Sequence, residues 1–340
     1  MATIKKQKLK FDILIPTYNG SQCITETIKS LLSQNYTDFR IIICDDASTD
    51  NTINIIKKIK DQRIKIFTHE KNLGYSLNLE RGRQYVTADI LFLMGQDDIL
   101  GSNALLSTCK AFQKSPNIGA VTRPYFWFDK QIEKPVRAKK QLNPKKDEVI
   151  KITSKPEKIK RVFESLDQLS ALAYRVKFMD TPFHPDIFPC HIYPFVSIFK
   201  KYPVVFLKDY NLAVRISSSQ TRSLSSIYNK SPILSWKEMM DNVFTEDKYK
   251  KIKKYLIQNF IAVNYIGLVQ IKNYSHLKIL IREIIYLIKF RPLNIINLSF
   301  WFFSIGATIT PSFILIPLID WYKNKIYSQS LKKIKFRYTL

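Results

Sequence analysis

Four short apolar runs, FDILIPT, FRIIICDD, IKIFTH and DILFLM, alternate with segments of helical period through residues 11–98. Apolar runs of this length, closed by polar turns, read as buried strands. Between them, residues 24–32, 52–59 and 76–86 carry apolar side chains at helical spacing. Strands joined through helices cross over and lie parallel, with both sheet faces covered. The expected fold class is thus α/β: a Rossmann-like, mostly parallel sheet flanked by helices.

Such a sheet binds ligands beyond the carboxyl ends of its strands, and that is where the polar residues gather. The first strand runs into Pro16, Thr17, Tyr18, Asn19 and Gly20, the second into DDASTD at 45–50, and the fourth into Gln96, Asp97 and Asp98. Helix capping accounts for Ser48, Thr49 and Asp50, whose side chains accept from the first N–H groups of the following helix. It leaves Asp45 and Asp46 unexplained, because two adjacent carboxylates ending an apolar strand need donors to offset desolvation and mutual repulsion. A nucleoside base or a ribose hydroxyl would supply them. Asp97 and Asp98 repeat the arrangement. A carboxylate pair at a sheet edge suits a hard divalent cation, Mg2+ or Mn2+, that keeps substrate phosphates among its ligands; a turn or helix cap is the plainer reading of that pair.

The 340 residues carry 54 Lys and Arg against 28 Asp and Glu, a formal charge of +26. An anionic partner is implied: nucleic acid, anionic lipid or a phosphorylated substrate. No RNA-reading aromatic motif is present, so nucleic-acid binding is not expected. Cys23, Cys44, Cys109 and Cys190 are scattered without a CxxC pair, which points to reduced thiols instead of a metal or disulfide framework. MATIKKQKLK lacks the apolar run of a signal peptide, so the domain that follows is expected in the cytosol.

Residues 129–161, lysine-rich and broken by Pro135, Pro144 and Pro156, read as a mobile basic excursion. Helical KIKRVFESL, strand-like LSALAYRV and the strand VVFLKDYNLAV restore order, and apolar helices with basic flanks fill 249–290. No charged residue lies between 292 and 319, but Asn294, Asn297, Pro311 and Pro317 interrupt that stretch. Trp301 and Trp321 suit the headgroup level, and Lys289, Arg291, Lys323 and Lys325 border the segment. An in-plane or re-entrant membrane helix pair is the preferred reading. A true span and a buried soluble helix are the alternatives.

Taken together, ILIPTYNG, IIICDDASTD, KNLGYSLNLERG and LFLMGQDD resemble, in order and spacing over residues 11–100, the motifs of the family 2 glycosyltransferases of GT-A fold. The resemblance implies inverting transfer from a nucleoside-diphosphate sugar, UDP-sugars favoured, with Mn2+ or Mg2+ as cofactor. It places Pro16, Thr17, Tyr18 and Asp46 at the nucleobase, with Asn19 and Asp45 also on the donor side. Asn72 and Gly74 shape the loop near the diphosphate, while Asp97 and Asp98 serve ribose and metal. There are two departures. Where many relatives carry an acidic residue two before the equivalent of Asp97, this chain has Gly95. Where relatives place an ED or GD pair as general base, it reads HPDIFPCHIYPF, leaving His191 or Asp186 for that role.

The expected division is a transferase domain over 1–225, comprising a donor half (about 11–125), the basic excursion (129–161) and an acceptor half (162–225). A helical C-terminal region over 226–340 follows, with a membrane-associated segment at 292–321. The expected activity is sugar transfer to a lipid-linked saccharide in bacterial capsule, O-antigen or related polysaccharide synthesis. It would take place at the cytoplasmic face of the inner membrane, on a peripheral or monotopic protein facing anionic lipid. The alternatives are a membrane scaffold that keeps the fold without turnover and, less favoured, a basic nucleic-acid-binding protein.

Overall fold

The structure is a computed structural model that describes residues 8–186, 188–216, 230–322, 329, 331 and 333–340. In chain order its first part runs β1 (Phe11–Thr17), α1 (Ile24–Leu32), β2 (Phe39–Asp45), α2 (Thr52–Lys58), β3 (Ile64–Thr68), α3 (Tyr75–Arg83), β4 (Ile90–Leu93), β5 (Ile99–Leu100) and α4 (Ala104–Phe112). It continues through β6 (Ala120–Thr122), β7 (Phe126–Phe128), β8 (Pro135–Ala138), β9 (Glu148–Ile150), α5 (Pro156–Glu164), β10 (Ala173–Arg175), α6 (Ile192–Lys201), β11 (Val204–Phe206) and β12 (Leu212–Arg215). Six helices close the described chain apart from its tail: α7 (Pro232–Val243), α8 (Lys250–Asn259), α9 (Ile266–Tyr274), α10 (Leu277–Phe290), α11 (Leu298–Ile309) and α12 (Ser312–Trp321).

Eight strands form one sheet in the order β3-β2-β1-β4-β10-β6-β11-β9. β1 lies between β2 and β4, parallel to both, and all seven of its residues are buried. Burial on both faces is why its sequence is a continuous apolar run instead of an alternation. The α/β expectation holds. Close approach of α3 to this spine depends on one glycine: a β-carbon on Gly82 would stand 2.5 Å from Leu14 Cδ1. The single acid in the run, Asp12, is buried but satisfied. It receives a two-pronged bond from Arg40 (2.7 and 2.6 Å) and the backbone N–H groups of Thr87 and Ala88.

Two sequence expectations fail in the middle of the chain. The basic stretch 129–161 contributes a strand to each sheet: β8 pairs antiparallel with β7, and β9 with β11. VVFLKDYNLAV is two strands, not one. β11 joins the large sheet, whereas β12 lies in a second sheet of order β5-β12-β7-β8.

The chain forms two compact units, 1–154 with 165–217 and 331–340, and 155–164 with 218–330. This division differs from a cut near residue 225. α5 belongs with the C-terminal helices because its amphipathic face carries Ile159, Val162 and Phe163 into their core, where Phe163 meets Trp236, Phe244 and Phe260. Residues 331–340 belong to the sheet unit: Ser102 N–H donates to Arg337 O at 2.9 Å, and Phe336 packs edge-on against Phe126.

In the helical unit, two of the interruptions of 292–319, Asn297 and Pro311, stand where helices begin, whereas Pro317 lies inside α12. Asn294 is buried and accepts from Tyr265 Oη (2.6 Å) and Arg291 Nη1 (2.8 Å), while its Nδ2 donates to the carbonyls of Ala262 and Leu287. Asn297 caps α11 by accepting from Phe300 N–H at 3.0 Å. Among the described residues, no helix is long and apolar enough to cross a membrane. α11 and α12 bury Phe300, Ser304, Ala307 and Leu315 and expose most of their other apolar side chains, unlike the alternative of a buried soluble helix.

Candidate active site

The polar turns after β1, β2 and β4 meet at one edge of the large sheet, because these are neighbouring parallel strands in register: Thr17 pairs with Asp45, and Asp46 N–H donates to Thr17 O at 2.8 Å. Gln96 then ties the first and fourth turns together. Its Nε2 donates to Tyr18 O and its Oε1 accepts from Tyr18 N–H, both at 3.0 Å. Asn19 adopts a left-handed backbone (φ 48°) and its Oδ1 accepts from Thr49 N–H at 2.8 Å. Its own N–H donates to Ser48 Oγ at 2.9 Å. The rim is therefore cross-braced before any ligand arrives.

The donors that satisfy the two β2 carboxylates are internal. Asp45 accepts from Ser48 N–H (3.0 Å) and Ser48 Oγ (2.5 Å). Asp46 accepts from Leu73 N–H (2.7 Å) and Gly74 N–H (2.8 Å), and its carbonyl takes Asn72 Nδ2 at 3.2 Å. The sequence argument that a nucleoside must quench these charges is corrected: Asp46 anchors the 72–74 loop. Gly74 has φ 86°, in the left-handed region that favours glycine, and this lets the loop turn into α3. Pro16, Thr17, Asp45 and Asp46 are buried beneath the rim, whereas Tyr18, Asn19, Asn72 and Asp97 reach its surface.

Asp97 and Asp98 point to different environments. Asp98 is buried, and its Oδ2 accepts from Gln168 Nε2 (2.7 Å) and Ser170 Oγ (2.5 Å), its Oδ1 from Arg215 N–H (3.0 Å). Burial, and then the charge of Asp97, push the Asp98 carboxyl up to about 8. These contacts correct the expectation that Asp98 is a metal ligand: its oxygens already hold the loop. Asp97 is half-buried at the rim, and its carbonyl accepts from Arg215 Nε at 3.1 Å. Among the described residues no group of three or more His, Cys, Asp or Glu could hold a metal by itself. One carboxylate still fits a hard cation whose other ligands are diphosphate oxygens and water. At position 95 a β-carbon would lie 3.2 Å from Asp97 Oδ1 and 3.0 Å from Asp98 Oδ2. With Ser170 Oγ a further 3.1 Å contact, position 95 is crowded by oxygens, and Gly95 accommodates the close approach of Asp97 and Asp98.

On the far side of α3 lies the segment that carries His184 and Asp186. Ser76 Oγ donates to Pro185 O, and Glu80 Oε2 accepts from Phe183 N–H at 2.9 Å. His184 stacks on Tyr193 of α6 with ring centroids 4.1 Å apart, and its Nδ1 accepts from Asp186 N–H at 3.2 Å. Asp186 is half-buried.

His191 is placed differently from what a general base requires. It is buried at the start of α6, with Nε2 2.9 Å from Leu166 O and Nδ1 without a partner. A carbonyl can only accept, so Nε2 carries the proton. Burial pushes the imidazole down to about 4. A base must reach the proton it removes and keep a pKa near the working pH, and His191 fails on both counts. Its depressed pKa stabilises the fold above the free-histidine value of 6.5, and this contribution is lost as the pH falls from there through about 4. Urea midpoints across that window should drop more steeply in the wild type than in His191→Gln; identical slopes would clear His191 as the source.

Sequence patterns placed Gln96 at the rim without its bracing role, and did not single out Gln168, Ser170 or Arg215, which brace the carboxylates, nor Ser76 and Glu80. Their partners lie 70 or more residues away, and no local spacing signals such pairings.

A mostly parallel sheet with an acidic turn at the carboxyl end of the fourth strand, and a second small sheet behind it, defines the GT-A glycosyltransferase fold. Residues 12–172 match the profile of glycosyl transferase family 2, and this segment belongs to that family. Among curated proteins, 93 residues are 32% identical to the UDP-Glc:alpha-D-GlcNAc-diphosphoundecaprenol beta-1,3-glucosyltransferase of Escherichia coli, covering 27% of this chain and 37% of that one. Another 33% identity, over 110 residues, is to the poly-beta-1,6-N-acetyl-D-glucosamine synthase of Staphylococcus aureus, covering 32% of this chain and 27% of the synthase. The matches thus span about a third of those relatives. Over 95% of the chain the fold is similar to residues 1–349 of S. aureus TarS in complex with UDP, covering 92% of that structure with TM-score 0.63 and 15% identity. It is also similar to the Pyrobaculum calidifontis mannosyltransferase PcManGT bound to GDP-Man and Mn2+ (TM-score 0.52, 12% identity, 89% and 87% covered).

Proposed function

We propose that the chain transfers a sugar, with inversion, from a nucleoside-diphosphate sugar to a saccharide acceptor carried on a lipid diphosphate, in bacterial envelope polysaccharide synthesis. The observation that carries this reading is the braced rim. Tyr18, Asn19, Asn72 and Asp97 reach the surface at one sheet edge, and the buried carboxylates beneath hold their loops in place. A UDP-sugar is the favoured donor, in keeping with the UDP-bound and UDP-GlcNAc-bound structures of similar fold.

In this reading Tyr18 and Asn19 border the nucleobase, and the 72–74 loop faces the diphosphate. Asp97 would hold a cation, Mn2+ or Mg2+, whose charge would neutralise the diphosphate as a leaving group. Asp186 takes the proton of the acceptor hydroxyl. The acceptor oxygen bonds to the anomeric carbon as the bond from that carbon to the diphosphate oxygen breaks, so the configuration inverts. The protein works as a peripheral protein at the cytoplasmic face of the inner membrane, where lipid-linked acceptors are met.

Calorimetric titration with UDP, GDP and their sugars, with and without Mn2+, tests donor binding, and NMR of the product anomer tests inversion. We expect micromolar binding only with the cation, on the order of −8 kcal/mol. No affinity for any nucleoside diphosphate would end the proposal, and retained configuration would remove Asp186 as a simple base.

A further inference from the structure

We infer that the exposed apolar face of α10, α11 and α12 lies in the plane of an anionic bilayer, penetrating one leaflet without crossing it. The inference specifies the surface behind the peripheral placement above and does not depend on the transfer chemistry.

The helices leave their most apolar side chains outside. Leu298 is 87% exposed, Phe313 77%, Phe302 74% and Ile309 72%, and Ile296, in the turn before α11, is 78% exposed. Residues 298, 302, 305 and 309 fall on one side of α11, opposite the side that buries Phe300, Ser304 and Ala307 against its own unit. A contiguous patch of this kind on a soluble surface marks an interaction site.

Charge identifies the partner. On α10 the exposed Leu277, Ile281 and Ile285 form one stripe, and the exposed Lys278, Arg282 and Lys289 form a second. At about 100° per residue the stripes are centred roughly 80° apart, so apolar insertion and phosphate contact occur together. Across α10, α11 and α12 the acidic residues are Glu283, turned fully inward, and Asp320, half-buried at the end of α12, so the basic side chains outnumber them on the exposed surface. Trp301 and Trp321 are exposed and bracket most of α11 and α12, at the depth where indoles favour the headgroup boundary.

Length excludes a span. α11 has 12 residues and α12 has 10, which gives about 18 and 15 Å against a hydrocarbon core of about 30 Å. A second copy of the chain is a poor occupant, because a twofold interface presents the same patch twice and would set basic stripe beside basic stripe.

The full chain is to be floated with vesicles of phosphatidylcholine alone and of phosphatidylcholine with phosphatidylglycerol. We expect binding to the anionic vesicles, weakened by salt, and at least roughly tenfold weaker binding to the neutral ones. Phe302→Asp with Phe313→Asp alters exposed side chains only, and should abolish flotation while nucleotide binding by calorimetry is kept. Lys278→Glu, Arg282→Glu and Lys289→Glu together should remove the preference for anionic lipid. Three outcomes would each overturn the inference: flotation unchanged in the double aspartate variant, equal binding to both vesicle types, or a lipid-free dimer that the aspartates split into monomers. Because nucleotide binding is read separately, its absence in the wild type would count against the transferase reading alone.

Discussion

Replacing Asp97 with asparagine is expected to lower sugar transfer by about 10²- to 10³-fold, the loss typical when one group that stabilises developing charge is removed. The melting temperature should not change. Asp97 is half-buried at the rim, beside an Asp98 whose oxygens are taken by protein donors. The amide keeps the shape of the side chain and removes the charge that would hold a cation against the diphosphate. Initial rates at several Mn2+ concentrations, with a thermal melt of each protein, decide the matter. A variant with wild-type rates would show that the cation is held elsewhere or not used.

The neighbouring substitution should do the reverse. Asp98→Ala strands the buried Ser170 Oγ and, half-buried beside it, Gln168 Nε2 and Arg215 N–H. Each buried donor without an acceptor costs about 1–3 kcal/mol, so a total of roughly 3–5 kcal/mol is expected after local relaxation. Such a loss lowers the melting temperature by roughly 5–15 °C, and it precedes any effect on catalysis. Differential scanning calorimetry measures it directly. If Asp98→Ala melted like the wild type while losing cation binding, the roles assigned to the two aspartates would have to be exchanged.

Much of the first hundred residues was legible because both faces of that sheet are covered. A strand buried on both sides must be apolar throughout, and FDILIPT and FRIIICDD have no other use. β9 escaped notice for the opposite reason: of Glu148, Val149 and Ile150 only Ile150 is buried, so no apolar run marks it among the lysines. VVFLKDYNLAV looked continuous because Lys208 and Asp209 interrupt it without a glycine or proline, yet the chain changes sheets there. At the site, sequence located the carboxylates but not their donors. Leu73 N–H and Gly74 N–H, which hold Asp46, are backbone groups, and backbone groups leave no residue-type signature. His191 was read by its place before α6, which is correct, but its burial under Leu166 O depends on tertiary packing that no local pattern encodes.

The nine residues of α3 begin at the loop that Asp46 fastens, and Ser76 and Glu80 on the same helix secure the strip bearing Asp186. A rod about 14 Å long does not flex appreciably along its axis. The 72–74 loop and the 183–186 strip are therefore cut from a single beam. If they face donor and acceptor as proposed, a graft that retunes either must carry Tyr75–Arg83 along with it.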